Sequence, residues 1–185
     1  MVDRDESMVI RPATVADAEV VARLGAETFM ETFGHLYTPQ DLAAFLAASR
    51  TASFYADLLR DPAVFVLLAI SRADERAIGY AVAGNCKLPV PDLERQAGEV
   101  RELYVLAEFQ KHKLGTKLLT AALDWLDAQQ RTPLYVGVWS GNEGAQRLYA
   151  RFGFEKVGEY GFAVGDQVDR EYILKRMELE VANTH

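Results

Sequence analysis

The sequence predicts an α+β protein with a mixed, mostly antiparallel sheet of about seven strands flanked by helices. Three observations carry that reading: helical segments precede the first long apolar strand, strands dominate the remainder, and two strand-to-helix units interrupt the succession of hairpins. With 185 residues, half of them hydrophobic, a single domain over 8–177 is expected, with loose tails at 1–7 and 178–185.

The elements follow in order. Met8 to Arg11 is a short apolar strand, and Thr14-Val15-Ala16-Asp17 reads as a helix start, with Thr14 as cap and Asp17 in the first turn. Val21, Leu24, Thr28, Phe29 and Phe33 recur at three- and four-residue steps, which gives that helix one buried stripe. Pro39 restarts the chain into a second helix, Asp41 to Ala48, and a third is expected from Ser53 to Leu59. Asp61-Pro62 breaks the helix. Val64 to Ile70 is wholly apolar and of central-strand length, and Ile78 to Gly84 returns after a polar turn as its hairpin partner. Glu99 to Leu106 is strand, and a helix from Lys113 to Gln130 carries Leu114, Leu118, Leu119, Ala122, Trp125 and Leu126 on its apolar face. Leu134 to Trp139 is strand, Asn142 to Phe152 helix, and Phe154 to Val164 and Glu171 to Arg176 are closing strands.

Composition narrows the function. The net charge of −7 argues against a partner that presents a phosphate backbone, so no nucleic acid is expected. Cys86 is the only cysteine, which excludes an intrachain disulfide and a cysteine-based zinc site. Three scattered histidines offer no metal-ligand spacing, so no metal is expected. The longest apolar run is far short of the roughly 20 residues that span a bilayer, and the charged start is no signal peptide. A soluble, cytoplasmic protein with no membrane partner is the expectation.

Two stretches carry chemistry. From Glu99 to Thr116 a strand leads through a tight turn into an amphipathic helix. A helix start presents unpaired N–H groups and the positive end of its dipole, and Lys111, His112, Lys113 and Lys117 add local positive charge to an acidic chain. That junction suits a phosphate or pyrophosphate. From Leu134 to Phe154 a strand runs into a helix headed by Asn142, with Tyr149 seven residues on and Phe152-Gly153-Phe154 closing it. Seven residues is two helical turns, so Asn142 and Tyr149 share one face. Both also have plain structural uses, as an N-cap and as a core tyrosine.

Gln110-Lys111-His112-Lys113-Leu114-Gly115 resembles the coenzyme A motif Gln/Arg-x-x-Gly-x-Gly/Ala of the GNAT superfamily of N-acetyltransferases, and the Leu134 to Phe154 segment resembles its second motif. Lys113 stands where the family usually has its first glycine. The likeness runs from about Met8 to Met177, and Glu31-Thr32-Phe33, Phe109-Gln110-Lys111-His112, Gly137-Val138-Trp139 and Gly165-Asp166-Gln167-Val168-Asp169 are similar to polyamine acetyltransferases of the PaiA type.

The resemblance implies a splayed sheet and transfer of an acetyl group from acetyl-CoA to a primary amine, by direct attack in a ternary complex. Acetyl-CoA is the implied co-substrate, held by Leu103, Tyr104, Val105, Gln110, Lys111, His112, Lys113, Leu114, Gly115, Thr116 and Asn142. A bulged strand at Leu103-Tyr104-Val105 would supply an N–H to the thioester oxygen. Strand parity sets Val100, Glu102 and Tyr104 on one face and Leu103 and Val105 on the other. Tyr149 is the implied general acid, and Glu99 the implied base, with Glu102 or a water as competitors. Substrate liners are expected among Glu27, Glu31, His35, Tyr37 and Tyr160, with Glu31 and Tyr37 suited to hold a cation. The favoured acceptor is a polyamine such as spermidine or spermine. A protein N-terminal or lysine acetyltransferase is the alternative, as is a non-catalytic coenzyme A sensor. A homodimer is compatible with the family.

Overall fold

The computed structural model describes residues 7–110 and 113–177. Strands β1 (Met8–Pro12), β2 (Val64–Ser71), β3 (Ala77–Asn85), β4 (Gly98–Val105), β5 (Leu134–Trp139), β6 (Phe154–Val164) and β7 (Gln167–Arg176) form one sheet in the order β1-β2-β3-β4-β5-β7-β6. The helices are α1 (Ala18–Phe33), α2 (Pro39–Ser49), α3 (Ala52–Arg60), α4 (Leu114–Ala128) and α5 (Glu143–Arg151). Every neighbouring pair is antiparallel except β4 and β5.

The helices cover both faces. Leu114, Leu118, Leu119, Ala122, Leu123 and Leu126 of α4 are buried on one face, and Val21, Leu24 and Tyr55 of α1 and α3 on the other. The N-caps are those the residue types favour: Thr38 accepts from the Asp41 N–H, Thr51 from that of Phe54, and Asn142 from that of Ala145 at 3.0 Å.

Most elements lie where the periodicity sets them. At Thr14 the chain first makes a 3-10 turn, Val15–Asp17, and the helix proper begins at Ala18. The last strand begins at Gln167 rather than Glu171. Its first residues alternate the wrong way for a sequence reading, with Val168 63% exposed and Asp169 buried, and the turn is made by Gly165 at φ +59°. The proposed tails fall almost wholly outside the described residues.

The parity expected in β4 is corrected at one point. Val100 pairs with Ala83 and Glu102 with Val82, so Arg101 is an extra, bulged residue. The bulge turns Val100 onto the α4 face, away from Glu102 and Tyr104. It also brings Glu99, which pairs with Gly84, onto the same face as Glu102.

Candidate active site

Strands β4 and β5 are paired only at Gly98 with Leu134 and Glu99 with Tyr135. Beyond those two rungs they diverge, and a cavity of about 300 Å³ opens between them on the α1 face. Its walls include Glu99, Glu102, Leu103 and Tyr104 from β4, Gly137 and Trp139 from β5, and Asn142 and Tyr149 from the second motif. Phe29, Phe33, Tyr37, Phe45 and Arg50 close it from the helices, and Tyr160, Phe162 and Glu171 from the last hairpin. The hairpin is held against α2 and the segment before it: Phe45 packs edge-on to Phe162, and Tyr37 donates a hydrogen bond to Asp169.

The two candidate bases differ in their surroundings. Glu99 is 6% exposed, and its carboxylate accepts the Lys87 N–H at 2.7 Å. Burial pushes its pKa up, against that hydrogen bond and the nearby Arg101 and Lys87 charges. Glu102 accepts from the hydroxyls of Tyr55 (2.8 Å) and Tyr80 (2.5 Å), and the Arg50 guanidinium lies 3.8 Å away. Arg50 stacks on Phe29 and Phe45 as it reaches this carboxylate. Glu102 is therefore a fully engaged partner in a buried network, whereas Glu99 keeps unused acceptor capacity.

Tyr149 is 5% exposed, with its ring edge-on to Phe154. Burial raises its pKa, so it stands protonated as an acid must. Gly137 lines the cavity from β5 and brings no side chain to it. A Cβ there would lie 2.8 Å from the Tyr160 hydroxyl, which fills that space and donates to Glu171 at 3.0 Å.

At the start of α4, Lys113 is the N-cap with φ +58°, a left-handed conformation that favours glycine. The position at which the motif usually has glycine therefore has, in this chain, a backbone conformation that glycine adopts at little cost. At Gly115 a Cβ would meet nothing nearer than Leu148 at 3.6 Å, so protein packing does not demand glycine there. Gln110 anchors the turn by donating to the Val105 carbonyl at 3.1 Å. Leu114 is buried on the core side of α4, Thr116 lies in its first turn, and Val105 is outside the cavity lining. Lys111 and His112 lie outside the described residues.

Of the substrate candidates, Tyr37 and Tyr160 line the cavity and three others do not. Glu31 is exposed and its carboxylate accepts the Ala107 N–H at 2.9 Å, so it ties α1 to the turn after β4. Glu27 pairs with Arg76, and His35 packs edge-on against Trp139 from outside. Arg50, Tyr55, Tyr80 and Glu171 escaped sequence reasoning, and Asp169 figured there only as part of a family likeness, with no role. Tyr80 hides in an apolar strand, Arg50 follows a helix end without a motif, and the two acids sit in the inverted alternation of β7.

The comparisons agree with this architecture. The Acetyltransferase (GNAT) family matches residues 27–154. An uncharacterised N-acetyltransferase of Lactobacillus delbrueckii subsp. lactis is 28% identical over 158 residues, covering 83% of this chain and 87% of that protein. One from Mycobacterium bovis is 29% identical over 168 residues, covering 88% and 98%. Among solved structures, the PaiA N-acetyltransferase of Thermoplasma acidophilum in complex with coenzyme A superposes with a TM-score of 0.74 at 17% identity, over 93% of this chain and 99% of that one. The ribosomal-protein-S5-alanine acetyltransferase of Vibrio fischeri gives 0.66 at 16% identity, over 94% of each. The match over most of the chain, together with the opened β4–β5 pair and its acidic cavity, shows that the chain belongs to the Acetyltransferase (GNAT) family and is an acetyl-CoA-dependent N-acetyltransferase.

Proposed function

We propose that this enzyme acetylates a primary amine of a small polyamine such as spermidine or spermine, in the cytoplasm, by direct attack in a ternary complex. The observation that carries the reading is the cavity itself: buried carboxylates set among aromatic rings at the point where β4 and β5 part. A carboxylate and ring faces together favour an alkylammonium ion over a neutral or anionic acceptor. The hairpin packs against α2 beside the cavity, whose volume of about 300 Å³ suits a slim flexible amine better than a folded protein. The likeness to the PaiA N-acetyltransferase structure supports the fold, and the polyamine rests on the chemistry of the walls and on the sequence likeness to the PaiA type.

Acetyl-CoA supplies the activated acyl group. The opened strand gap and the glycine-tolerant start of α4 fit its chain and phosphates, with Gln110, Lys113, Leu114, Gly115 and Thr116 forming the turn and Asn142 heading the neighbouring helix. Lys111 and His112 complete the motif in the sequence. Backbone N–H groups between Leu103 and Val105 are the donors for developing negative charge on the carbonyl oxygen. Glu99 takes one proton from the substrate ammonium, directly or through a water, so that the neutral amine attacks the thioester; the second proton, shed by the acylated nitrogen, restores the hydroxyl of Tyr149, and the raised pKa of Glu99 brings it nearer the range a base needs. Tyr149 returns a proton to the leaving sulfur. Tyr37 remains in the acceptor wall.

The test is release of coenzyme A thiol from acetyl-CoA against spermidine, spermine, aminoglycosides, amino acids and short peptides. Saturable turnover confined to the polyamines supports the reading, and turnover on peptides alone replaces it with protein acetylation. Tyr149→Phe separates catalysis from packing. No hydrogen bond of its hydroxyl occurs among the described residues, so kcat falls about 10²-fold. Stability stays within about 0.5 kcal/mol by urea unfolding.

A further inference from the structure

Four acidic side chains in and behind the cavity walls are balanced unequally. Glu102 has two tyrosine donors and Arg50. Glu99 has the Lys87 N–H, with Arg101 beside it. Asp169, one layer behind, takes Tyr37 and the Gln167 amide at 3.0 Å. Glu171 receives only the Tyr160 hydroxyl, and among the described residues no cation pairs with it. A half-buried carboxylate with one neutral donor has lost much of its hydration without a counter-charge. Burial and the neighbouring Asp169 accordingly push its carboxyl up.

Its position gives this deficit a use. Glu99 lies level with Tyr135 of β5 and Glu171 level with Trp139, four residues or about 13 Å along the strand. The Glu171 carboxylate leans back toward Gly137, midway between them, where its Oε2 would stand 3.5 Å from a Cβ. The two carboxylates therefore mark separate points along one cavity, with Tyr160 between them.

We propose that Glu171 is a specificity residue that holds a second, non-reacting ammonium of the acceptor, so that the enzyme prefers diamines and longer polyamines to monoamines of equal length. The proposal rests on the amine-acetyltransferase reading and adds which residue selects the acceptor. Tyr160 orients the carboxylate, and Tyr37 and Trp139 offer ring faces to the alkyl chain.

The test measures binding rather than turnover. Putrescine and n-butylamine, which have the same carbon count, are titrated calorimetrically into the protein saturated with coenzyme A, using wild type, Glu171→Gln and Glu171→Asp. Wild type is expected to prefer putrescine by about tenfold or more, Glu171→Gln to bring the preference to about threefold or less, and Glu171→Asp to retain most of it. The proposal is overturned if wild type does not distinguish the two amines, or if the preference survives in Glu171→Gln. It is overturned too if both variants lose both amines alike, since that is the mark of a collapsed cavity. Failure of the acetylation reading has a different signature: the diamine preference intact and no thiol released.

Discussion

Glu99 and Lys113 each hold a conformation or charge state that the fold alone does not favour. The pKa of Glu99 is raised by burial, so the folded state prefers the protonated form. The stability this gives is present below the unfolded pKa of about 4.3 and is lost as pH rises through the higher folded value. Glu99→Gln keeps an acceptor for the Lys87 N–H and removes the buried charge. At neutral pH it should melt no lower than wild type, while kcat/KM falls about 10²- to 10⁴-fold and the acidic limb of the rate profile disappears. A melt well below wild type would instead make Glu99 a structural carboxylate. Lys113 carries a left-handed backbone that costs a residue with a Cβ about 1–2 kcal/mol, against about 0.5–1 kcal/mol of extra chain entropy for glycine. Lys113→Gly should therefore stabilise the protein by up to about 1 kcal/mol in urea unfolding, and Lys113→Ala should not.

Among the elements, the join of β1 to α1 depends on one acid. Asp17 accepts the Thr14 N–H at 2.7 Å and grips Arg11 of β1 through both carboxylate oxygens, at 2.7 and 2.9 Å. That guanidinium holds its pKa well below the usual carboxylate range. The stability so gained is present above the unfolded pKa of about 3.9 and is lost as pH falls toward the lower folded value. Asp17→Asn should cost about 1 kcal/mol at neutral pH, as loss of a cap and a partly exposed ion pair does, and the gap to wild type should narrow in acid. Urea titrations at both pH values check it. Element by element, the sequence was most readable where a simple period held. The apolar run of β2 and the leucine face of α4 each allow one placement. It was least readable where a local event reset the count. The bulge at Arg101 flips Val100 away from Glu102, and the start of β7 buries Asp169 while exposing Val168. No pattern of period two reports either. For the same reason the motifs located Tyr149, Asn142 and Glu99, whereas Arg50 and Glu171 emerged only once distant strands and helices met.

For the molecule as a whole, charge acts at a distance. A net charge of −7 surrounds a cavity lined by three glutamates against two arginines, and on the proposed reading that field draws a polycation toward it. Raising ionic strength from about 0.05 to about 0.5 M shortens the Debye length from roughly 14 to 4 Å. KM for spermine should then climb several-fold and more steeply than KM for a monoamine. Equal salt dependence for the two would show that the overall field contributes nothing to acceptor choice. The seven strands also have a mechanical character. One ladder runs from β1 to β4 and another from β5 through β7 to β6, and only two rungs join them. The sheet is a pair of plates on a short hinge, with the α4 segment crossing from one to the other. Amides within each plate should exchange slowly with solvent, and those of β4 and β5 that face across the gap quickly. A ligand lying in the gap would slow the second set alone, so hydrogen exchange can watch the cleft fill without any chemistry taking place.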